Sequence, residues 1–408
     1  MIERKEYLNK LIGWKDEQVI KVVTGIRRSG KSTLLEQYKD YLTANGILAN
    51  QIVSVNFEEL ENEKFLDYKV LYEYLVGKIK KDKITYFFLD EIQKVKGFEK
   101  VIDSLYVKKN TDIYITGSNS YLLSGELATL LSGRYVEIEI LPFSFTEYVQ
   151  ARGKTDFEKL FADYIKFGSF PYIATMSDPH EKAGVYMEGI YNTIILKDIE
   201  ERQSRKSTEN YSRKVNDMSL LKNISKYLAS VVGNPVSAKK ITDYIISSGR
   251  KVSQNTVDDY LQALTDAFVF YYVDRYDING KQLLKQFGKY YIADLGLRRY
   301  LISKREYDLG AELENVVYLE LLRRGNNVNV GKFGLLEVDF VAKKGDFVQY
   351  IQVSASLESK ETFERELAPL KGINDNYPKI VLTLDKYSVG NYAGIEVKNV
   401  IEWLLKQA

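Results

Sequence analysis

Short apolar runs alternate with amphipathic stretches through the first third of the chain. Residues 18–24, 51–57, 84–91 and 112–116 read as buried strands, and 135–140 as an alternating fifth. Between them, 32–42, 66–81 and 98–109 carry apolar residues at helical spacing. Strands alternating with helices predict a parallel sheet with helices on both faces. Ligands then bind at the carboxyl ends of the strands.

The pattern changes further on. Between 206 and 300 it predicts helices over 211–232, 237–247 and 254–267, a turn at 248–251, then strands over 268–275 and 281–292. Ser237 and Ser253 are placed as helix N-caps. Three helices followed by a hairpin resemble a winged helix-turn-helix, whose third helix enters the major groove of DNA. The last hundred residues predict a helix over 309–324, strands over 327–331, 335–341 and 347–353, a helix over 362–371 and a strand over 379–384.

Composition narrows the chemistry. The 408 residues are 45% hydrophobic and 28% charged, an ordinary globular mix with room for several cores. With no cysteine there is no disulfide, thiolate metal site or cysteine nucleophile, and one histidine, His180 in a turn-like Asp-Pro-His-Glu, excludes a multi-histidine site. No run approaches the roughly 18 apolar residues of a membrane helix. The N-terminus has no apolar signal-peptide region, so a soluble cytoplasmic protein is expected. The net charge is +2, but 206–300 hold 15 Lys+Arg against 9 Asp+Glu. A nucleic-acid footprint is therefore expected to be local.

The strongest chemical signal lies between the first strand and the first helix. Gly25-Ile26-Arg27-Arg28-Ser29-Gly30-Lys31-Ser32-Thr33 fits G-x-x-x-x-G-K-[ST]. The loop's N–H groups and the helix N-terminus are suited to cradle phosphates. Lys31 would reach the β- and γ-phosphates, and Ser32 would hold Mg²⁺. The third strand ends in Asp90-Glu91, which matches a Walker B element. Asp90 is the expected Mg²⁺ ligand, and Glu91 the residue that orients and deprotonates the attacking water. After the fourth strand, Ser118 and Asn119 both qualify as the polar residue that senses the γ-phosphate. Arg134 is placed to stabilise transition-state charge, in cis or across a subunit interface. Asn56 ends the second strand beside Walker B, where it would hold Glu91 in an inactive pose.

These motifs, followed by Leu141-Pro-Phe-Ser-Phe-Thr-Glu-Tyr148, resemble the AAA+-type ATPases of an archaeal and bacterial family with a C-terminal domain of unknown function. The resemblance extends over nearly the whole chain. It implies a glutamate-switch role for Asn56, an arginine-finger or sensor role for Arg134, and a helical lid over 143–205, which contains Phe-Gly-Ser-Phe-Pro-Tyr at 167–172.

The fold expected is thus α/β: a P-loop NTPase core of the AAA+ type over 1–142, the lid over 143–205, a winged helix-turn-helix over 206–300 and a restriction-endonuclease-like domain over 301–408. In the winged helix, Arg250 and Lys251 are candidate phosphate contacts, and Ser253, Gln254 and Asn255 candidate base contacts. The last domain's element order resembles the PD-(D/E)xK nuclease fold. Glu314 and Asp339 match its first two metal-binding positions. Gln352 and Ser354 replace the following carboxylate and lysine, and Glu337 shares a strand face with Asp339, so a degenerate site is expected. The function expected is an ATP- and Mg²⁺-dependent ATPase that acts on DNA, as a homo-oligomer or with a protein partner. The alternatives are an ATP-switched scaffold with negligible turnover and an ATP-gated nuclease.

Overall fold

A computed structural model describes residues 2–117, 133–194, 199, 217–302 and 307–406. The chain divides into two compact units. One is Met1–Pro142 with Asp266–Phe268; the other is Phe143–Thr265 with Val269–Ala408.

In the first unit, β1 (Ile20–Thr24), β2 (Ile52–Asn56), β3 (Thr85–Asp90), β4 (Thr111–Thr116) and β5 (Tyr135–Glu139) form a sheet in the order β2-β3-β4-β1-β5. Every pairing is parallel. Alternate residues feed two cores. Ile20, Val22, Phe87, Leu89, Ile113 and Ile115 pack with the helices Tyr68–Lys78 and Phe98–Tyr106. Val23, Phe88, Tyr114 and Ile138 pack with Lys31–Ala44 and with Lys5–Gly13, a helix that the apolar pattern did not announce. The strand order puts β4 between the P-loop strand and the Walker B strand.

The second unit begins with the helices Phe145–Arg152, Phe157–Phe167, Pro171–Thr175 and Pro179–Thr193. Then come Met218–Ser230, Ala238–Ser247 and Gln254–Asp266, with β6 (Phe270–Asp277) and β7 (Gln282–Ile292) as an antiparallel hairpin. Three helices and a hairpin thus appear in the expected order. Ser237 caps its helix through the Lys240 amide, and Ser253 accepts from the Thr256 amide.

The hairpin is not a separate wing at the end of its own domain. It belongs to an eight-stranded sheet with β8 (Asn327–Phe333), β9 (Leu336–Lys344), β10 (Phe347–Ser354), β11 (Lys379–Thr383), β12 (Gly390–Tyr392) and β13 (Ile395–Asn399), in the order β12-β13-β11-β10-β9-β8-β6-β7. β6 joins β8 in parallel, Arg275 opposite Val330. The boundary expected at 300 therefore cuts through a continuous sheet. The expected strand at 379–384 is also not the last element, since β12, β13 and the helix Val400–Leu405 follow it.

The short helix Leu295–Leu301 ties this unit together. Asp294 caps it, accepting from the Leu297 amide at 2.9 Å, and is fully buried. The same carboxylate accepts from the Ser169 amide and hydroxyl, at 2.5 and 2.8 Å. This explains the Gly-Ser-Phe-Pro turn. A Cβ at Gly168 would lie 2.3 Å from Asp294 Oδ1, so only glycine lets the turn approach. From the same helix, Arg298 donates to the Ala229 carbonyl at 2.9 Å, and Arg299 forks onto Glu312 at 2.9 and 3.0 Å. Among the described residues, no helix is long and apolar enough to cross a membrane.

Replacing Asp294 with Ala removes a cap and leaves the buried Ser169 amide without its acceptor. We expect a loss of about 3 kcal/mol in unfolding free energy, read by urea denaturation. Asp294→Asn keeps an acceptor and should lose less than half of that.

Candidate nucleotide site and carboxylate cluster

The P-loop leaves β1 at Thr24 and turns at Gly25, whose φ is 129°. A Cβ there would lie 2.2 Å from the Ile140 carbonyl oxygen, so the loop passes against β5 only because residue 25 has none. Arg28, at φ 69°, completes the turn into the helix. Lys31 is buried and folds back across the loop, donating to the carbonyls of Gly25 at 3.0 Å and Ile26 at 3.3 Å. A residue that no motif announced supports the loop from behind. Arg4, 1% exposed, donates to the Ser29 carbonyl and to the Leu141 carbonyl, each at 2.8 Å.

Asp90 and Glu91 stand at the carboxyl end of β3, both largely buried. Thr116, at the end of the intervening β4, serves both. Its hydroxyl donates to Asp90 Oδ1 and accepts from the Glu91 amide at 2.9 Å. Burial pushes the Asp90 carboxyl up, and Glu91 adds to this. Hydrogen bonds from Thr116 and Ser32, and the Lys31 charge, oppose the shift. A cation beside Asp90 would reverse that balance. Ser32 and Asp90 offer a hydroxyl and one carboxylate, hard oxygen donors beside a phosphate cradle. No cluster of three or more metal-ligating residues exists among the described residues. That donor set suits Mg²⁺, which keeps waters and takes its remaining ligands from phosphate.

Glu91 is in the left-handed region at φ 57°, strained for a residue with a side chain. Gln93 Nε2 donates to its carboxylate. Asn56 lies opposite Asp90 in the β2–β3 register, as expected. Its side chain accepts from the Glu58 amide at 2.9 Å, so the visible hold on Glu91 comes from Gln93.

For Arg134 only the cis alternative is corrected. It starts β5, next to Ile20 at the amino end of the parallel strands, whereas the P-loop lies at the carboxyl end. Five residues of strand separate the two, about 16 Å. The guanidinium lies over the Tyr106 ring, 5.2 Å from its centroid, and 4.0 Å from Asp103. It cannot serve the P-loop of its own chain. Ser118 and Asn119 lie outside the described residues.

The expected DNA contacts divide. Arg250 pairs with Asp217, the cap of the helix Met218–Ser230, and is thus committed to holding the helix turn. Ser253 is occupied as a cap. Lys251, Gln254 and Asn255 are exposed.

At the C-terminal site the structure brings Glu314, Glu337 and Asp339 together around Lys289 of β7. Its ammonium lies 2.9, 2.8 and 3.9 Å from their oxygens. Burial pushes the Lys289 ammonium down, but Glu314, Asp339 and Glu337 outweigh this and raise it above the ordinary lysine value. Burial, then Glu314, push the Asp339 carboxyl up, against the Lys289 charge. Tyr291 donates to Glu314. Gln352 accepts from the Asp339 amide at 3.3 Å and donates to Glu366 at 2.9 Å. Ser354 turns to the Ser356 carbonyl at 2.8 Å. The carboxylates thus enclose a lysine, and the set does not fit a divalent ion. Lys289 was missed because it lies in the preceding domain of the sequence division; its place in an apolar strand was the available signal.

A model of the AAA domain family matches residues 17–149, and a model of a domain of unknown function (DUF8612) matches 158–308. An uncharacterized protein of Haemophilus influenzae is 42% identical over 412 residues, covering 100% of this chain and 99% of its own. An uncharacterized protein of Methanocaldococcus jannaschii is 31% identical, covering 87% of this chain and 79% of its own. Among solved structures, the Walker-type ATPase of Pyrococcus abyssi aligns over 74% of this chain and 96% of its own, with 17% identity and a TM-score of 0.48. The Aeropyrum pernix ORC1 protein, solved in complex with DNA, aligns over 74% and 92%, with 11% identity and a TM-score of 0.31. With a relative this similar from end to end and a P-loop domain of the AAA type, the chain belongs to the family of AAA-type P-loop ATPases that carry a C-terminal domain of unknown function.

Proposed function

We propose that the protein binds MgATP at Gly25–Thr33 and hydrolyses it to drive conformational change. The observation that carries this is the Asp90–Thr116–Glu91 arrangement at the strand ends. Asp90 and Ser32 hold Mg²⁺, Lys31 swings from the loop carbonyls to the β- and γ-phosphates, and Glu91 takes the proton of the attacking water. Gln93 restrains Glu91 before activation. Because Arg134 faces away from its own P-loop, its role as a finger requires a neighbouring copy, so the active form is a homo-oligomer. Ser118 or Asn119 is the γ-phosphate sensor in this reading.

The client is DNA. The helices at 218–266 with the β6–β7 hairpin act as a winged helix-turn-helix, with Lys251 on phosphate and Gln254 and Asn255 at base edges. The sheet beyond it is a nuclease-like fold that no longer cleaves, since Lys289 occupies the space among its carboxylates. The restraint on Glu91 favours one second reading, an ATP-controlled scaffold that turns over only when a protein partner frees that carboxylate.

Steady-state ATP hydrolysis tests the first reading. Lys31→Ala should abolish nucleotide binding. Glu91→Gln should retain it while turnover falls about 10²–10⁴-fold. No turnover with or without DNA, despite ATP binding, would favour the scaffold.

Arg134→Ala should cost about 10³-fold in turnover with ATP affinity kept. Mixing it with Glu91→Gln should restore activity, because some interfaces regain both groups. Full activity of Arg134→Ala alone would remove the arginine from the mechanism.

Incubation with Mg²⁺ or Mn²⁺ and duplex, single-stranded or four-way-junction DNA should give no cleavage. Cleavage lost in Asp339→Ala would restore the nuclease reading.

A further inference from the structure

The DNA reading leaves a difficulty. The exposed face of the helix Gln254–Asp266 carries Asp258, and an acid in a DNA groove repels phosphate. The structure places this acid in the wall of a cavity of about 440 Å³ between that helix, the start of the helix Ala238–Ser247 and the β6–β7 hairpin. That volume is ordinary for a small-ligand site, about 300–1,000 Å³.

The cavity has one aromatic side and one polar side. Tyr272, Tyr290 and Phe287 supply the rings, with the two tyrosines 5.0 Å apart between centroids. Gln254 and Asp258 supply an amide and a carboxylate, and Lys239 stands at the rim. Burial, then the Asp259 charge, push the Asp258 carboxyl up, so a donor brought to it would be favoured.

The hairpin is deformed at this place. The β6–β7 register breaks between Val273, opposite Lys289, and Arg275, opposite Leu284, so β7 carries extra residues there. Phe287 lies in this bulge at φ 61°, which is strained for an aromatic residue, and is half exposed at 50%. Gly288 permits it, since a Cβ there would lie 2.5 Å from both the Tyr272 ring and the Val273 carbonyl. Bulges re-aim side chains at functional sites, and strain that persists at a binding surface is part of how the surface works. Here the bulge sends a large apolar ring to the edge of an open cavity.

We propose that this cavity binds an unpaired nucleobase whose exocyclic amino group stands beside an accepting ring nitrogen on its pairing edge, adenine or cytosine. The rings stack on the base, as aromatic platforms do in single-stranded DNA binding. Asp258 accepts from the amino group, and Gln254 pairs with the neighbouring ring nitrogen, in the manner of carboxylate and amide readout of cytosine and adenine. Lys239 takes the adjoining phosphate. The acid on the recognition helix thereby becomes a specificity element. This rests on the reading that the client is DNA, although a free nucleotide carries the same base chemistry.

The test uses the full chain carrying Lys31→Ala, whose P-loop no longer takes nucleotide, so that adenine and cytosine binding reports the cavity. Fluorescence anisotropy measures labelled deoxyadenylate, deoxycytidylate and thymidylate oligonucleotides and a duplex, with AMP and CMP as competitors. We expect the amino-bearing strands to bind about tenfold more tightly than thymidylate or duplex. Phe287→Ala should weaken them about tenfold. Asp258→Ala should erase the preference over thymidylate while thymidylate affinity stays. Melting temperatures within the wild-type range confirm folded variants. Oligonucleotide binding unchanged in both variants overturns the pocket and leaves the DNA reading standing. Phe287-dependent binding of AMP or CMP without any oligonucleotide binding keeps the pocket and overturns the DNA client. Binding of neither overturns both.

Discussion

A parallel sheet that ends at a phosphate site must gather charge at one edge, and here a single hydroxyl makes that tolerable. Thr116 stands between the P-loop strand and the Walker B strand because β4 lies between β1 and β3. It donates to Asp90 and accepts from the amide of Glu91. Without a donor, two adjacent buried carboxylates would each bear the full cost of desolvation and of the other's charge. With it, the Asp90 carboxylate is held through its own oxygen and Glu91 through its backbone amide. The Glu91 side chain accepts from Gln93. The strand order, a topological fact, therefore gives the two acids different environments.

The second unit solves its charge problems by enclosure. Asp294 is buried, yet three donors reach it from two segments, and it caps a helix as well. Lys289 is buried, yet three carboxylates surround it. Each such group is costly when alone and specific when satisfied, because no other packing supplies the same partners. Together they bind the lid-like helices, the hairpin and the eight-stranded sheet into one body. Lys289 lies on β7, and Glu337 and Asp339 on β9, with β6 and β8 between them, so the ion cluster forms only when the sheet is continuous.

Local signals were legible in the sequence. The P-loop, Asp90-Glu91, the five parallel strands and the Ser237 and Ser253 caps depend on residues close in the chain, and each lies where spacing places it. Long-range relations were not. Arg4 supports a loop some twenty-five residues away, and Lys289 meets acids from a helix and a strand well beyond it. Arg134 follows a Ser-Gly turn that reads as a catalytic arginine, but strand direction decides which edge it occupies, and direction is a property of the sheet. Arg250 illustrates the same limit. A basic residue in a helix turn reads as a phosphate contact until its partner, Asp217, is known.

Charge alone is therefore a poor guide to a DNA surface in this protein. Of the basic residues singled out near the recognition helix, Arg250 is spent on structure, and in the hairpin Lys289 is buried among acids. The features facing solvent there include Lys239, Lys240 and Lys251, two amides, an acid and a strained phenylalanine. Such a surface is weak at gripping a uniform duplex backbone, where affinity scales with the phosphates neutralised. It is better suited to bases whose faces and edges are open. Stacking needs exposed aromatic rings, and edge recognition needs acceptors that duplex pairing would otherwise hide. On the proposed DNA reading, a grip that depends on unpaired bases would engage only where the strands are already parted, and ATP turnover would respond to that structure rather than to sequence.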